Sequence, residues 1–232
     1  MEVYTVDALV AAARKALAAA GDPAKAEEMR AYMKSALPFR GVPKPVRQRL
    51  TRQLFAEHPL PDKATLVAVT RELWREAEFR EERYVAIDLT GHRAYAPWQD
   101  SGLLPLYEEM IVTGAWWDYV DEIAIRRVGP LLRAEPGVLG PVLRRWAVDP
   151  DLWRRRTAII CQVGAKEATD LSLLTHAIEA SIGEREFFLR KGIGWALRQH
   201  SRLDPGWVAE FVATHPGLSP LSVREALKYV PR

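Results

Sequence analysis

A single cysteine, Cys161, is all this chain contains, which excludes an intramolecular disulfide and any zinc cluster built on cysteine. It also fits a reducing, cytoplasmic setting. No run of about 18 apolar residues occurs, so no segment reads as a membrane-spanning helix. The opening Met-Glu-Val-Tyr lacks a basic stretch, which argues against a signal peptide. The five histidines, His58, His92, His176, His200 and His215, are scattered without ligand spacing, so no metal is expected. Strand signals are nearly missing, and so is any linker-like stretch. The charge excess is small: a net +3 permits an anionic partner without demanding one.

What remains is rich in helix. Hydrophobic residues make up 48% and charged residues 27% of 232 positions, the balance of a folded chain long enough to bury a sizeable core. Apolar positions recur with a 3.6-residue period almost throughout. Thr5 or Asp7 can cap a first helix ending at Gly21; Asp22-Pro23 opens a second, carrying Met29, Tyr32 and Met33. Pro43 to His58 makes a third, and Asp62 caps a fourth through Trp74. Further helices are expected over roughly 78–91, 100–112, 116–127, 136–148, 150–163, 167–180, 184–200, 205–214 and 219–230. Punctuation falls at Pro59-Leu60-Pro61, Gly129-Pro130, Asp149-Pro150, Gly183, Asp204-Pro205 and Pro216-Gly217.

Repetition sets the expected architecture. Leu-Arg-Arg-Trp-Ala followed by Asp-Pro-Asp-Leu-Trp (143–153) resembles Gly-Trp-Ala-Leu-Arg followed by Leu-Asp-Pro-Gly-Trp (194–207), about 50 residues on. Helix pairs recur at roughly 35–45 residues, the spacing of HEAT-like or armadillo-like solenoids. The expectation is one all-α, HEAT-like domain over residues 1–232, with a concave face made by one helix of each pair. A compact helical bundle is the alternative arrangement.

Within that frame three side chains are out of place. Asp121 closes Trp116-Trp117-Asp118-Tyr119-Val120-Asp121, where Trp117 lies four residues back on the same helical face. Its other face neighbours, Asp118, Ala124 and Ile125, supply no cation, so an ionised Asp121 suits a cation from elsewhere. Arg156 has Leu152, Trp153, Ile159 and Ile160 at its own face positions, and an arginine on an apolar stripe needs an anion. Asp121 or a phosphate would serve. Trp195 has Lys191 and Arg198 on its face, with Gly192 and Gly194 beside it, although glycine costs a helix about 1 kcal/mol relative to alanine. Close approach of a backbone or ligand, or tight helix packing, accounts for glycine there. Asp121, Arg156 and Trp195 are separated by 35 and 39 residues, close to one repeat each. Each also has a plainer reading, as a cap, an inter-repeat ion pair or a core indole.

Basic residues form a second pattern. Arg40 to Arg52 holds five cations, Lys44 and Arg47 among them, and no acid. This stretch leads into a helix N-terminus, where backbone N–H groups favour phosphate. Arg126-Arg127, Arg144-Arg145, Arg154 to Arg156 and Arg190-Lys191 recur through later repeats, as expected of a groove that follows phosphates.

A set of segments then resembles one family along nearly the whole chain, in order. They are Ala31-Tyr32-Met33-Lys34, Arg71-Glu72-Leu73-Trp74, Ile111-Val112-Thr113 with Trp116-Trp117-Asp118 and Val120-Asp121, Trp153 with Arg156 and Ala158-Ile159, Ile193-Gly194-Trp195 with Leu197-Arg198, and Pro220-Leu221-Ser222 with Arg224-Glu225-Ala226. These are similar to the AlkD-type DNA alkylation repair glycosylases. The resemblance implies a HEAT-like solenoid cradling double-stranded DNA. It implies excision of cationic N3- and N7-alkylated purines with no metal or organic cofactor. Carried over by motif, the catalytic carboxylate falls on Asp121, the aromatic walls on Trp117 and Trp195, the supporting arginine on Arg156 and an aromatic of the second helix on Tyr32. Trp116 is left to the core. Lys44, Arg47, Lys191 and Arg198 join Arg156 and Tyr32 as expected DNA contacts. One departure stands out: Pro43 follows the Phe-x-Gly stretch where the best-known member has a glutamine. The resemblance also implies action on a base still stacked in the duplex, and a monomer is the default expectation for a solenoid that cradles DNA. The rival reading is a non-catalytic HEAT-like module that binds DNA or protein.

Overall fold

A computed structural model describes residues 2–231, with side chains from residue 6 onward. Every regular element among the described residues is helical, and no strand occurs among them. None of these helices is long and apolar enough to cross a membrane. The chain forms two compact units, Met1–Gln99 and Asp100–Arg232.

The first unit contains α1 (Glu2–Ala19), α2 (Pro23–Met33), α3 (Lys44–Glu57), α4 (Lys63–Arg75), α5 (Arg80–Thr90) and a closing 3-10 turn, Arg93–Trp98. Because α1 begins at Glu2, Asp7 lies inside it rather than capping it; the Thr5 side chain falls outside the described residues. Asp22 and Asp62 cap α2 and α4, accepting backbone N–H groups of the first turn, each worth about 1 kcal/mol. α1, α4 and α5 pack on one another through Leu9, Ala13 and Leu17, Leu66, Val69 and Leu73, and Val85 and Leu89. These spacings place each set on one helical face.

The second unit opens with a 3-10 turn, Ser101–Leu103, and continues through α6 (Leu104–Gly114), α7 (Trp117–Ile123), α8 (Gly129–Ala134), α9 (Pro136–Ala147), α10 (Leu152–Ile160), α11 (Leu171–Glu179), α12 (Phe187–His200), α13 (Pro205–Thr214) and α14 (Pro220–Ala226). Gly129-Pro130, expected to break the helix, does not. A π turn over Ala124–Val128 carries α7 directly into α8. Proline has no N–H to give an α ladder, and a π insertion accommodates that locally. Gly129 also lies against α10's end, since a β-carbon on it would sit 2.2 Å from the Cys161 carbonyl oxygen.

Helix pairs stack in order, as in helical-repeat proteins. α9 packs on α8 and α11, while α7, α10, α12 and α14 form a second row, each touching the next. Asp121, Arg156, Trp195 and Glu225 lie on successive members of that row. The repeat spacing in the sequence is thus a spacing in space within this unit.

Candidate functional site

Ala115, with a left-handed φ of 42°, ends α6 and lets Trp116 enter α7 in extended form. Trp117 is the first residue of α7, and Asp121 follows one turn later on the same face. The cation that Asp121 lacks on its own helix comes from α10. Arg156 donates from Nε to Oδ1 at 2.7 Å and from Nη2 to Oδ2 at 2.8 Å. Nη1 donates to the Phe188 carbonyl at the start of α12. One guanidinium therefore ties three helices of the row together, and the anion that Arg156 required is Asp121.

Burial makes this pair unequal. Arg156 is 5% exposed, whereas 16% of the Asp121 side chain remains accessible. Part of the Asp121 side chain thus stays accessible, backed by a buried cation. Loss of water raises the Asp121 pKa; the Arg156 hydrogen bonds and charge oppose the rise, and Asp118 adds to it. Gly192 supplies the space for this arrangement, because a β-carbon there would lie 3.2 Å from Arg156 Nη1. Gly194 has another task, helix packing: its β-carbon would lie 2.6 Å from Glu225 Cβ on α14.

Aromatic rings brace the pair from behind. Phe188 meets Trp116 edge-on at 5.5 Å and Trp153 at 5.1 Å between centroids. Trp116, assigned to the core, is half-buried in this cluster, and its indole N–H is buried without a partner. Trp117 and Trp195 are half-buried. Trp195 lies one turn beyond Gly192 on α12, between Lys191 and Arg198. Both of these cations engage Glu225, Lys191 at 2.8 Å and Arg198 through Nη1.

The other expected contacts belong to the first unit. Tyr32, on α2, is 77% exposed. Lys44, the first residue of α3, is exposed as well. Arg47, expected to meet DNA, is instead 7% exposed, hydrogen-bonded to Asp88 at 2.8 Å and stacked on Tyr84. The loop before α3 has an internal partner. Its backbone N–H groups at Arg40, Gly41 and Val42 do not point at an outside phosphate but all donate to the buried Glu81 carboxylate at 2.9–3.1 Å. Gly41 is obligatory in this wrap, with φ of 81° and a β-carbon position 2.0 Å from the Asp22 carbonyl oxygen.

Two of the recurring arginines, Arg154 and Arg155, likewise serve internal ties. Arg154 reaches Glu108 and Asp149, and Arg155 reaches Glu184, Ser181 and the Ala180 carbonyl. These two arginines therefore join neighbouring helices. Among the described residues no three His, Cys, Asp or Glu side chains are grouped so as to hold a metal.

Residues 13–230 match the family model described as DNA alkylation repair enzyme. The chain belongs to that family. A solved structure described as a predicted DNA alkylation repair enzyme, from Enterococcus faecalis, is similar over 91% of this chain and 97% of its own, at 33% identity with a TM-score of 0.82. No curated protein matches.

Three residues with marked roles in the structure carry no distinctive local signal. Phe188 contributes its carbonyl and ring, and only two adjacent aromatics at a helix start hint at it. Glu225 holds two basic side chains, although its sequence neighbours resemble any solvated helix face. Glu81 lies within Arg80-Glu81-Glu82, three consecutive charged residues that are all buried.

Proposed function

We propose that this family member is a DNA glycosylase that removes positively charged N3- and N7-alkylated purines from duplex DNA. The observation that carries the reading is the carboxylate of Asp121, fixed at both oxygens by a buried guanidinium on a side chain that stays partly accessible. An alkylated purine is already a cation and a good leaving group. The C1′–N bond breaks with its electron pair going to the base, which leaves neutral, and the sugar becomes oxocarbenium-like. Asp121 stabilises that positive sugar with its negative charge. Water then adds to C1′ and loses a proton, leaving an abasic site. Arg156 keeps the carboxylate aimed and favours its ionised form. Trp117 and Trp195 contact the cationic nucleotide, each contact worth about 0.5–2 kcal/mol as a cation–π attraction.

Tyr32, Lys44, Lys191 and Arg198 supply contacts to the duplex in this reading, while Arg47 and Arg156 act from inside the fold. The chain works as one HEAT-like domain and as a monomer in the cytoplasm, without metal or organic cofactor. Because a cationic base departs without a proton from the protein, the chemistry is the same for 3-methyladenine, 7-methylguanine and any bulkier cationic adduct that reaches Asp121. The test is release of 7-methylguanine from a duplex, read as abasic sites, by the wild type and Asp121→Asn. Excision is expected to fall on the order of a hundredfold, the usual loss when one preorganised electrostatic group is removed, while duplex binding persists. Full activity in Asp121→Asn would sink the assignment.

A further inference from the structure

On α12, Lys191, Trp195 and Arg198 follow one another at four- and three-residue spacing, so the two cations flank the indole on one face. Across from them lies Glu225 of α14. Its Oε1 accepts from Lys191 Nζ at 2.8 Å and its Oε2 accepts from Arg198 Nη1. Few carboxylates are placed so firmly. Gly194 allows α14 to approach until Glu225 Cβ and the Ser222 backbone occupy the space a side chain would need. The buried Ser222 hydroxyl donates to the Arg190 carbonyl at 2.9 Å, which sets the register between the two helices.

This bridge leaves much of each cation's bonding capacity in hand. An ammonium carries three N–H donors and a guanidinium five, and each gives one to Glu225. A carboxylate that merely offset positive charge would need no such fixing. We infer that Glu225 is a positioning residue for duplex binding, holding Lys191 and Arg198 on either side of Trp195 with donors left over for phosphate oxygens. The inference rests on the DNA-binding reading above. Preorganisation of this kind raises affinity by removing the cost of ordering long side chains at the moment of binding.

Charge and position make opposite predictions, which gives the test its force. Glu225→Ala adds one positive charge, and by charge alone it would tighten binding to a polyanion and steepen its salt dependence. Positioning predicts the reverse. Anisotropy of a fluorescein-labelled undamaged duplex should show binding weakened about fivefold in Glu225→Ala, with Glu225→Gln, which keeps the shape and an acceptor oxygen, falling between it and the wild type. In a Lys191→Ala/Arg198→Ala background, Glu225→Ala should change affinity no further, whereas general damage to the α12–α14 packing would still lower it. Unchanged or tighter binding by Glu225→Ala, or an undiminished loss in the doubly substituted background, overturns the inference alone. A wild type that binds no duplex overturns it together with the function on which it rests.

Discussion

The guanidinium of Arg156 meets the carboxylate of Asp121 edge to edge, with two hydrogen bonds of 2.7 and 2.8 Å linking residues 35 apart in the sequence. The planar fork of arginine matches a carboxylate in a way that the single ammonium of lysine cannot. Arg156→Lys should therefore lose one of the two bonds and leave the Phe188 carbonyl without its donor. A fall in stability of about 2 kcal/mol is expected, the scale of a lost hydrogen bond to a charged group. Urea unfolding would show it as a lower midpoint at constant slope, and an unchanged midpoint would contradict it.

The same pair sets a pH dependence. Burial raises the Asp121 pKa above its ordinary 3.8 even with Arg156 pulling it down. Excision needs the ionised carboxylate, so activity should fall as pH drops through that raised value. Stability runs the other way. The fold favours the protonated form, so the contribution of this group is fullest below the unfolded pKa and is lost as pH climbs through the folded one. Replacing Arg156 by glutamine removes the main influences that lower the pKa and should move the acid limb of excision to higher pH. Coincident limbs in the two proteins would show that Arg156 does not tune the carboxylate.

Gly192→Ala separates activity from stability. Alanine suits a helix better than glycine by about 1 kcal/mol, yet its β-carbon would press on Arg156 Nη1 at 3.2 Å. The melting temperature should hold or rise while excision drops several-fold, since a small misplacement of a catalytic group is costly. Wild-type excision rates in Gly192→Ala would mean that the guanidinium has room to spare.

In the first unit, Glu81→Gln tests the wrap of the 40–42 loop. An amide presents an NH2 to backbone N–H groups that now meet carboxylate oxygens. A loss of about 3 kcal/mol is expected for disturbing a buried, hydrogen-bonded charge. Gly41→Ala should also destabilise, because φ of 81° is strained for any side chain and the Asp22 carbonyl blocks the space. Unfolding midpoints equal to the wild type for both variants would mean that the loop is held by something else.

Helix type and most boundaries were legible because they depend on local chemistry. The apolar period along α4, α9 and α12, the caps at Asp22, Asp62 and Asp204, and the prolines at first helical positions act within one or two turns. Gly129-Pro130 misled because the same two residues can break a helix or open a new helical segment after a π turn, and the close approach of Gly129 to the Cys161 carbonyl is a tertiary contact. The loop that begins the basic stretch before α3 held a partner that short-range reading does not reveal. Its N–H groups do seek an anion, but the anion is Glu81, some 40 positions on.

By itself the sequence determined an all-helical repeat chain, its family, and an Asp121 that lacks a local counterion, because period, motif and near-neighbour charge are properties of short stretches. Tertiary structure alone decided which anion Arg156 holds, which cations Glu225 gathers, and which arginines are buried ties rather than surface contacts. A charge in water is neutral toward its many possible partners; burial among neighbouring helices removes the water and leaves only the partner within reach.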